Sequence, residues 1–141
     1  MKENEKRFQE IYVEFQVLSS SIQQLEKQSA ALENHLLELM TTKQSLDDME
    51  NVKPGTEILV PLSAGIYARA DLKESDRFIV NVGSNIALSK NLASTKKIIE
   101  DQISEIKKLQ ENLSQELGMN TAKAAELEEE LNKIASSLQD K

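Results

Sequence analysis

The chain lacks cysteine and tryptophan, and it holds only three Phe and two Tyr among its 141 residues. Without cysteine it forms no disulfide and has no thiol nucleophile, which suits a reducing compartment. Compact cores are usually built around large apolar side chains, and few are present here. Charged residues make up 29% of the chain, and Leu, Lys, Glu, Gln, Ser and Ala dominate its outer parts. This composition is typical of long helices rather than of a packed globule.

Several functional classes are disfavoured by what is missing. Lys and Arg are outnumbered by Asp and Glu, 17 to 24, so there is no basic surplus for a nucleic-acid backbone. The single histidine, His35, argues against a metal site. The four glycines lack the spacing of a phosphate-binding loop. Since a nucleophile also needs a base, we expect no catalytic residue, no cofactor and no enzyme activity.

Long apolar runs are absent as well. No run approaches the roughly 20 residues that span a bilayer. The N-terminal stretch MKENEKRFQEIY has no apolar segment of the kind found in signal peptides. We therefore expect a cytoplasmic protein that contacts neither membrane nor nucleic acid.

Two arms of about 45 residues carry apolar residues at alternating spacings of three and four, the heptad pattern of a coiled coil. This apolar seam comprises Phe8, Ile11, Phe15, Leu18, Ile22, Leu25, Leu32, Leu36, Leu39 and Leu46 in the first arm. In the second arm it comprises Leu92, Ile99, Ile103, Ile106, Leu113, Leu117, Ala124, Leu127, Leu131, Ile134 and Leu138. Polar residues interrupt it at Ser29, Lys43, Lys96, Gln110 and Asn120.

Neither arm buries this stripe alone. We expect the arms to pair antiparallel, with facing residue numbers that sum to about 140 and a length of roughly 65–70 Å. Parallel dimers of each arm are the alternative, but they leave the middle segment hard to place.

In the middle segment the apolar period changes from 3.5 to 2, which predicts half-buried strands. Turn compositions at 63–65, 73–76 and 83–85 divide it into two hairpins. Pro61 predicts an edge or a bulge, and Asn91 or Ser94 a cap for the second helix. Four short strands leave an apolar face and open edges, so hairpins from other chains would have to close a barrel of about eight strands. The predicted oligomerisation residues are Ile58, Val60, Leu62, Ile66, Phe78, Val80, Val82, Ile86 and Leu88.

Antiparallel pairing brings the two chain ends together, far from the strands. Two of the three Phe and one of the two Tyr lie there. Terminal turns fray easily, so these side chains could bind apolar segments of other proteins weakly. The other interpretation is that all except Tyr12 simply continue the seam. The candidate client-binding residues are Phe8, Ile11, Tyr12, Phe15, Leu131, Ile134 and Leu138.

Residues 57–92, EILVPLSAGIYARADLKESDRFIVNVGSNIALSKNL, resemble the α class of prefoldin subunits. The matching features are Val60-Pro61-Leu62, the small-residue turn ending at Gly65, the strand closing on Val82-Gly83, and Lys90-Asn91-Leu92. Two hairpins mark the α class, and the absence of long tails is archaeal in type. Ser84-Asn85 departs from the family, which more often has small residues and a glycine there.

The resemblance implies an α+β fold in which a long antiparallel coiled coil carries two hairpins that complete an intersubunit β-barrel. It divides the chain into an N-terminal helix (1–51), two oligomerisation hairpins (52–90) and a C-terminal helix (91–141), forming one prefoldin-like domain. It implies a complex of two α and four β-class subunits, in which the second α subunit is another copy of this chain. The complex would be an ATP-independent holdase that passes unfolded proteins to a group II chaperonin. The alternatives are a coil–hinge–coil tether and a prefoldin-like scaffold subunit of another complex.

Overall fold

The computed structural model describes residues 2–139, and over that range it contains two helices and four strands. They are α1 Lys2–Met49, β1 Glu57–Ser63, β2 Ile66–Asp71, β3 Arg77–Asn81, β4 Ala87–Asn91 and α2 Leu92–Gln139. Two long helices around two antiparallel hairpins confirm the predicted α+β architecture. The predicted arms 1–51 and 91–141 include Met1, Asp140 and Lys141, which lie outside the described residues.

The chain forms two compact units, of which the first contains α1 as far as His35 and α2 from Ile106 onward. Ile11 packs with Leu127 and Leu131 in a buried cluster, and the half-buried side chains around it are Phe8, Phe15, Leu18 and Ile134. Ion pairs join Arg7 to Glu130 and, at 3.2 Å, Lys123 to Glu14. The start of α1 therefore meets the end of α2, which confirms the antiparallel pairing.

The second unit, Leu36–Glu105, contains the remaining parts of both helices and the hairpins. Leu39 and Leu46 are buried here on α1. Two predicted interruptions of the seam carry charge across the pair: Lys43 Nζ lies 3.8 Å from Glu100 Oε1, and Lys96 Nζ lies 2.8 Å from Asp47 Oδ1. Every predicted seam residue in the two arms is buried or half-buried. The heptad pattern thus located the contact face correctly.

Local hydrogen bonds explain where the helices stop and start. After Met49 the chain tightens into turns, with the amide of Val52 donating to the carbonyl of Met49 at 3.1 Å, ahead of Pro54. At the other helix, Asn91 Oδ1 accepts a 2.8 Å hydrogen bond from the Ser94 amide. Asn91 is thus the N-cap of α2, as one of the two predicted alternatives.

Two separate antiparallel ladders form the hairpins. In the first, Ile58 pairs with Ala70 and Val60 with Ala68, so the even-numbered apolar positions share one face. The register shifts between Pro61 and Ser63, which makes Leu62 the extra residue of a β-bulge. Of the two predicted alternatives at Pro61, an edge or a bulge, the bulge is confirmed. The register changes directly after Pro61, which has no backbone N–H to donate to the ladder.

The turn of the second hairpin accommodates the Ser84-Asn85 departure. Both residues have positive φ, 51° and 59°, between Gly83 and Ile86. The Ile86 amide donates to the Gly83 carbonyl at 2.9 Å, which closes the turn. Positive φ at both central residues characterises the type I′ turn, whose twist matches that of a two-stranded hairpin. Asn tolerates this conformation well, so the loop closes without glycine at those two positions.

The cap at Asn91 is testable by stability. Asn91→Ala removes the acceptor for the Ser94 amide and should lower the free energy of unfolding by about 1 kcal/mol. Urea unfolding followed by circular dichroism measures this change. The control is Asn91→Ser, which keeps a capping oxygen and should stay within a few tenths of a kcal/mol of wild type. Equal stability of the Ala variant and wild type would show that the cap contributes nothing.

Candidate interaction sites on the hairpins and helical arms

The even-numbered face of the hairpins is apolar and largely open to solvent. Three of the predicted oligomerisation residues are half-buried: Ile58, Phe78 and Val80. The other six are exposed: Val60, Leu62, Ile66, Val82, Ile86 and Leu88. Most soluble monomers cover apolar surface of this kind, so this face is a candidate contact site.

The ladders bring most of these residues together, but not all of them. Val80 pairs directly with Leu88, so their side chains share one face of the second hairpin. Val82 and Ile86 lie outside β3 and β4, where the Val82 amide donates to the Ile86 carbonyl at 3.0 Å. They extend the same apolar surface to the turn. Within residues 2–139 no ladder joins β2 to β3, so each hairpin keeps open edges.

The opposite face of the first hairpin also carries apolar side chains. Leu59 and Tyr67 are exposed, and Tyr67 pairs with Pro61 across the ladder. In the second hairpin Ile79 is 77% exposed beside Val80. Strict alternation predicts polar residues at these odd positions. The apolar period of two therefore did not predict Leu59, Tyr67 or Ile79 as contact residues.

The predicted client-binding residues lie mostly within the seam of the first unit. Ile11 and Leu131 are 8% and 9% exposed, whereas Tyr12 is 46% exposed. The rest, Phe8, Phe15, Ile134 and Leu138, are half-buried. The rings of Phe8 and Tyr12 stack with centroids 6.2 Å apart and planes at 5°. Only Tyr12 of this set is freely available to a partner, and client binding by the set stays a prediction.

A groove of about 520 Å³ lies at the same end of the arms, and of the predicted client-binding residues only Ile134 lines it. Its walls combine the apolar side chain of Ile134 with charges of both signs, including Arg7, Glu130 and Lys133. Sequence reasoning missed Arg7 and Lys133, since a charged residue beside a heptad seam is usually only a solvated flank. Ile134 is the one apolar residue in this lining, so the groove is mainly polar and charged.

The Lys96 ion pairs are the clearest electrostatic feature of the second unit. Besides Asp47, the ammonium lies 3.6 Å from Glu50 Oε2. The hydrogen bond from Lys96 holds the pKa of Asp47 below its ordinary value, against the opposing effect of burial. The same hydrogen bond, together with the charges of Asp47 and Glu50, raises the pKa of Lys96. Next to it the unpredicted Thr95 is buried, and its hydroxyl donates to the Asn91 carbonyl at 2.8 Å.

Two other site types receive no support in the part of the chain that the structure describes. No group of three or more His, Asp or Glu side chains stands close enough to hold a metal ion. No described helix is both long and apolar enough to cross a membrane. The surfaces described above consist of exposed apolar side chains and open strand edges.

Comparison with known proteins agrees with this arrangement. A family model described as prefoldin subunit matches residues 18–137. A prefoldin subunit alpha from Thermofilum pendens is 30% identical over 115 residues, covering 82% of this chain and 89% of that protein. A prefoldin subunit alpha from Pyrococcus horikoshii is 27% identical over 143 residues, covering 99% and 90%. The cryo-EM structure of filamentous PFD from Methanocaldococcus jannaschii shares the fold, with a TM-score of 0.72 at 22% identity, covering 80% of this chain and 93% of that one.

The Asp47–Lys96 pair predicts a pH dependence. Because the Asp47 pKa is lowered, its contribution is present above the ordinary aspartate value of about 3.9 and is lost as pH falls through the lowered pKa. Because the Lys96 pKa is raised, the contribution is present below about 10.4 and is lost as pH rises through the raised pKa. Asp47→Asn should therefore be less stable than wild type at neutral pH and equal to it at both extremes.

Urea unfolding at acidic, neutral and alkaline pH measures this difference. Asp48→Asn is the matched control, since it removes a carboxylate from the same end of α1 and keeps an oxygen for Gln44. If both variants gave the same pH profile, the effect would be general charge rather than the Lys96 contact.

Proposed function

The chain belongs to the prefoldin family, and we propose that it is an α-class subunit of an ATP-independent holdase chaperone. In this proposal the complex grips unfolded polypeptides at the ends of its coiled coils and delivers them to a group II chaperonin. Its place of action is the cytoplasm, and its work requires no catalytic residue or cofactor. The central segment, 52–90, assembles the complex, while the arms, 1–51 and 91–141, carry the client-binding ends.

The observation that carries the proposal is the open apolar face of hairpins that do not pair with each other. The arms bury their own seam, so they leave nothing to cover Val60, Ile66 or Leu88. Hairpins of neighbouring chains supply both missing elements, an apolar face and strand edges. Small barrels close at about eight strands, and this chain contributes four. Two copies of it with four one-hairpin β-class subunits would complete two such barrels.

Client binding rests on the ends of the arms in the first unit. Tyr12 is exposed and stacked on Phe8, and in the same unit a groove combines Ile134 with charged side chains. A single aromatic side chain and a shallow groove bind weakly. Several arm ends around one unfolded chain convert weak contacts into useful avidity without any new contact. Release then needs no ATP, because each contact breaks easily on its own.

A second candidate function is a structural one, either a tether or a prefoldin-like scaffold subunit of another complex. The burial of Ile11 and Leu131 favours it, because a packed, ordered end suits one specific partner better than many clients. The two functions differ in what the ends must do. A holdase end should bind unrelated unfolded chains, whereas a scaffold end should not.

Assembly through the even-numbered face of the hairpins is tested by placing a carboxylate on that face of β3 and, as a control, on the opposite face. Val80→Asp, alone or with Val82→Asp, should prevent assembly with a co-expressed β-class subunit, because an unpaired carboxylate would enter the shared barrel. Ile79→Asp is the matched control, since Ile79 lies on the opposite face and is exposed. Native mass spectrometry reads the oligomer. Normal assembly of the Val80 variant would contradict closure through this face.

Client binding at the ends is tested by truncation. Removing residues 1–12 and 130–141 should abolish suppression of client aggregation, measured by light scattering, while native mass spectrometry still finds the intact oligomer. Within the full-length chain, Tyr12→Ser should weaken suppression more than Val17→Ser, a change at another exposed apolar position of α1. Full activity of the truncated protein would rule out the ends as the grip. A wild-type oligomer that suppresses no aggregation would favour the scaffold function.

A further inference from the structure

An apolar groove of about 330 Å³ lies along the paired arms within the first unit, away from the chain ends. Its lining is Gln28, Ala31 and Leu32 of α1 with Leu109 and Leu113 of α2. No charged residue is among them. Leu32 and Leu113 belong to the seam, but Leu109 does not, and Leu109 is 51% exposed. The groove is at the small end of the range that holds ligands, so it accommodates an apolar group of one or two side chains.

The heptad register shows that this groove lies where an apolar side chain replaces the charges found at equivalent positions nearer the ends of the arms. Arg7, Glu14 and Gln28 occupy the same heptad position of α1, and Glu130, Lys123 and Leu109 occupy one position of α2. Nearer the ends these positions form cross-arm ion pairs, Arg7 with Glu130 and Glu14 with Lys123. At Gln28 and Leu109 the charges are replaced by an amide and an exposed leucine. The exposed part of this leucine gains nothing from the pairing of the arms, which leaves it free to contact another molecule.

The surroundings of the groove decide what fits it. Another helix laid along the arm would need an apolar stripe that continues over several heptads. One heptad away the same positions hold Ser21 and Glu116 in one direction, and His35 and Gln102 in the other. The apolar area is therefore confined to one heptad, far short of the roughly 1,200 Å² that a stable protein interface buries. An uncharged lining also offers nothing to a charged peptide.

We propose that this groove is a second client contact, which takes one or two apolar side chains of an extended, non-native polypeptide. The inference rests on the proposed holdase function and adds a site to it. A chain held at the end of the arm and again at the groove is bound bivalently, so its affinity exceeds that of either contact. Leu109 and Ala31, both exposed, provide the apolar wall that such a side chain would cover.

The test uses the full-length chain assembled with its β-class partner and a defined probe. The probe is a short Ser/Gly-rich peptide that carries photo-leucine beside phenylalanine, and mass spectrometry maps its crosslinks. We expect crosslinks at 28–32 and 109–113 as well as at the arm ends. Leu109→Gln should reduce the groove crosslinks roughly tenfold and leave those at the ends unchanged. Met119→Gln, at another exposed position of α2, is the matched control and should change neither set.

Each other outcome overturns the inference in a recognisable way. Crosslinks at the ends without any at the groove would remove the second contact and leave the holdase function standing. Crosslinks at neither place would remove both. Groove crosslinks that survive Leu109→Gln would show that the apolar wall does not hold the peptide. A change in oligomer mass caused by Leu109→Gln would assign the groove to another subunit's arm instead of a client.

Discussion

The apolar seam between α1 and α2 is the interaction on which the other features depend. A helix with one apolar stripe is marginal alone in water, and most of its stability comes from packing that stripe against another element. Here each helix finds that element in the other, in both compact units. Among the described residues no large side chain is completely buried, so the protein is built on a line of contacts and not on a globular core. That explains how a chain with five aromatic residues folds at all.

Because the seam satisfies the helices, it leaves the hairpins unsupported. A two-stranded hairpin is at best marginally stable in water, and each of the two here stands without a third strand. Cap and turn chemistry define their ends: Asn91 starts α2 directly after β4, and a turn with two positive φ values closes β3 onto β4. The local structure is thus well specified, while the face it displays is not covered. In the proposed complex, burying that face against other chains would both stabilise this segment and drive assembly.

The recurrence of apolar residues predicted the seam and the strands, turn compositions divided the strands into two hairpins, and the need to place the middle segment favoured antiparallel pairing. Pro61, which has no amide to donate, predicted an edge or a bulge, and the structure has a bulge there. The sequence pattern predicted less about the contacts of polar residues that interrupt or flank the seam. Lys96 reads as a plain interruption, and only the folded helices show that its long side chain reaches Asp47 and Glu50. Thr95 could not be predicted as buried, since it lies one position off the seam and the bond from its hydroxyl to the carbonyl of the cap residue Asn91 is seen only in the folded chain.

At the arm ends, residue type alone cannot distinguish a side chain that packs in the seam from one that contacts a client. Phe8, Ile11 and Leu131 fit the heptad and could equally grip a client, and the two roles compete for the same surface. In the folded chain the seam takes most of that surface and leaves Tyr12 outside it. Packing of a terminal turn is weak, however, because few neighbours surround it. A client that binds the seam residues must displace one arm from the other, at the cost of a few terminal contacts. The apolar side chains that pack the end of the coiled coil would then become the additional surface that contacts the client.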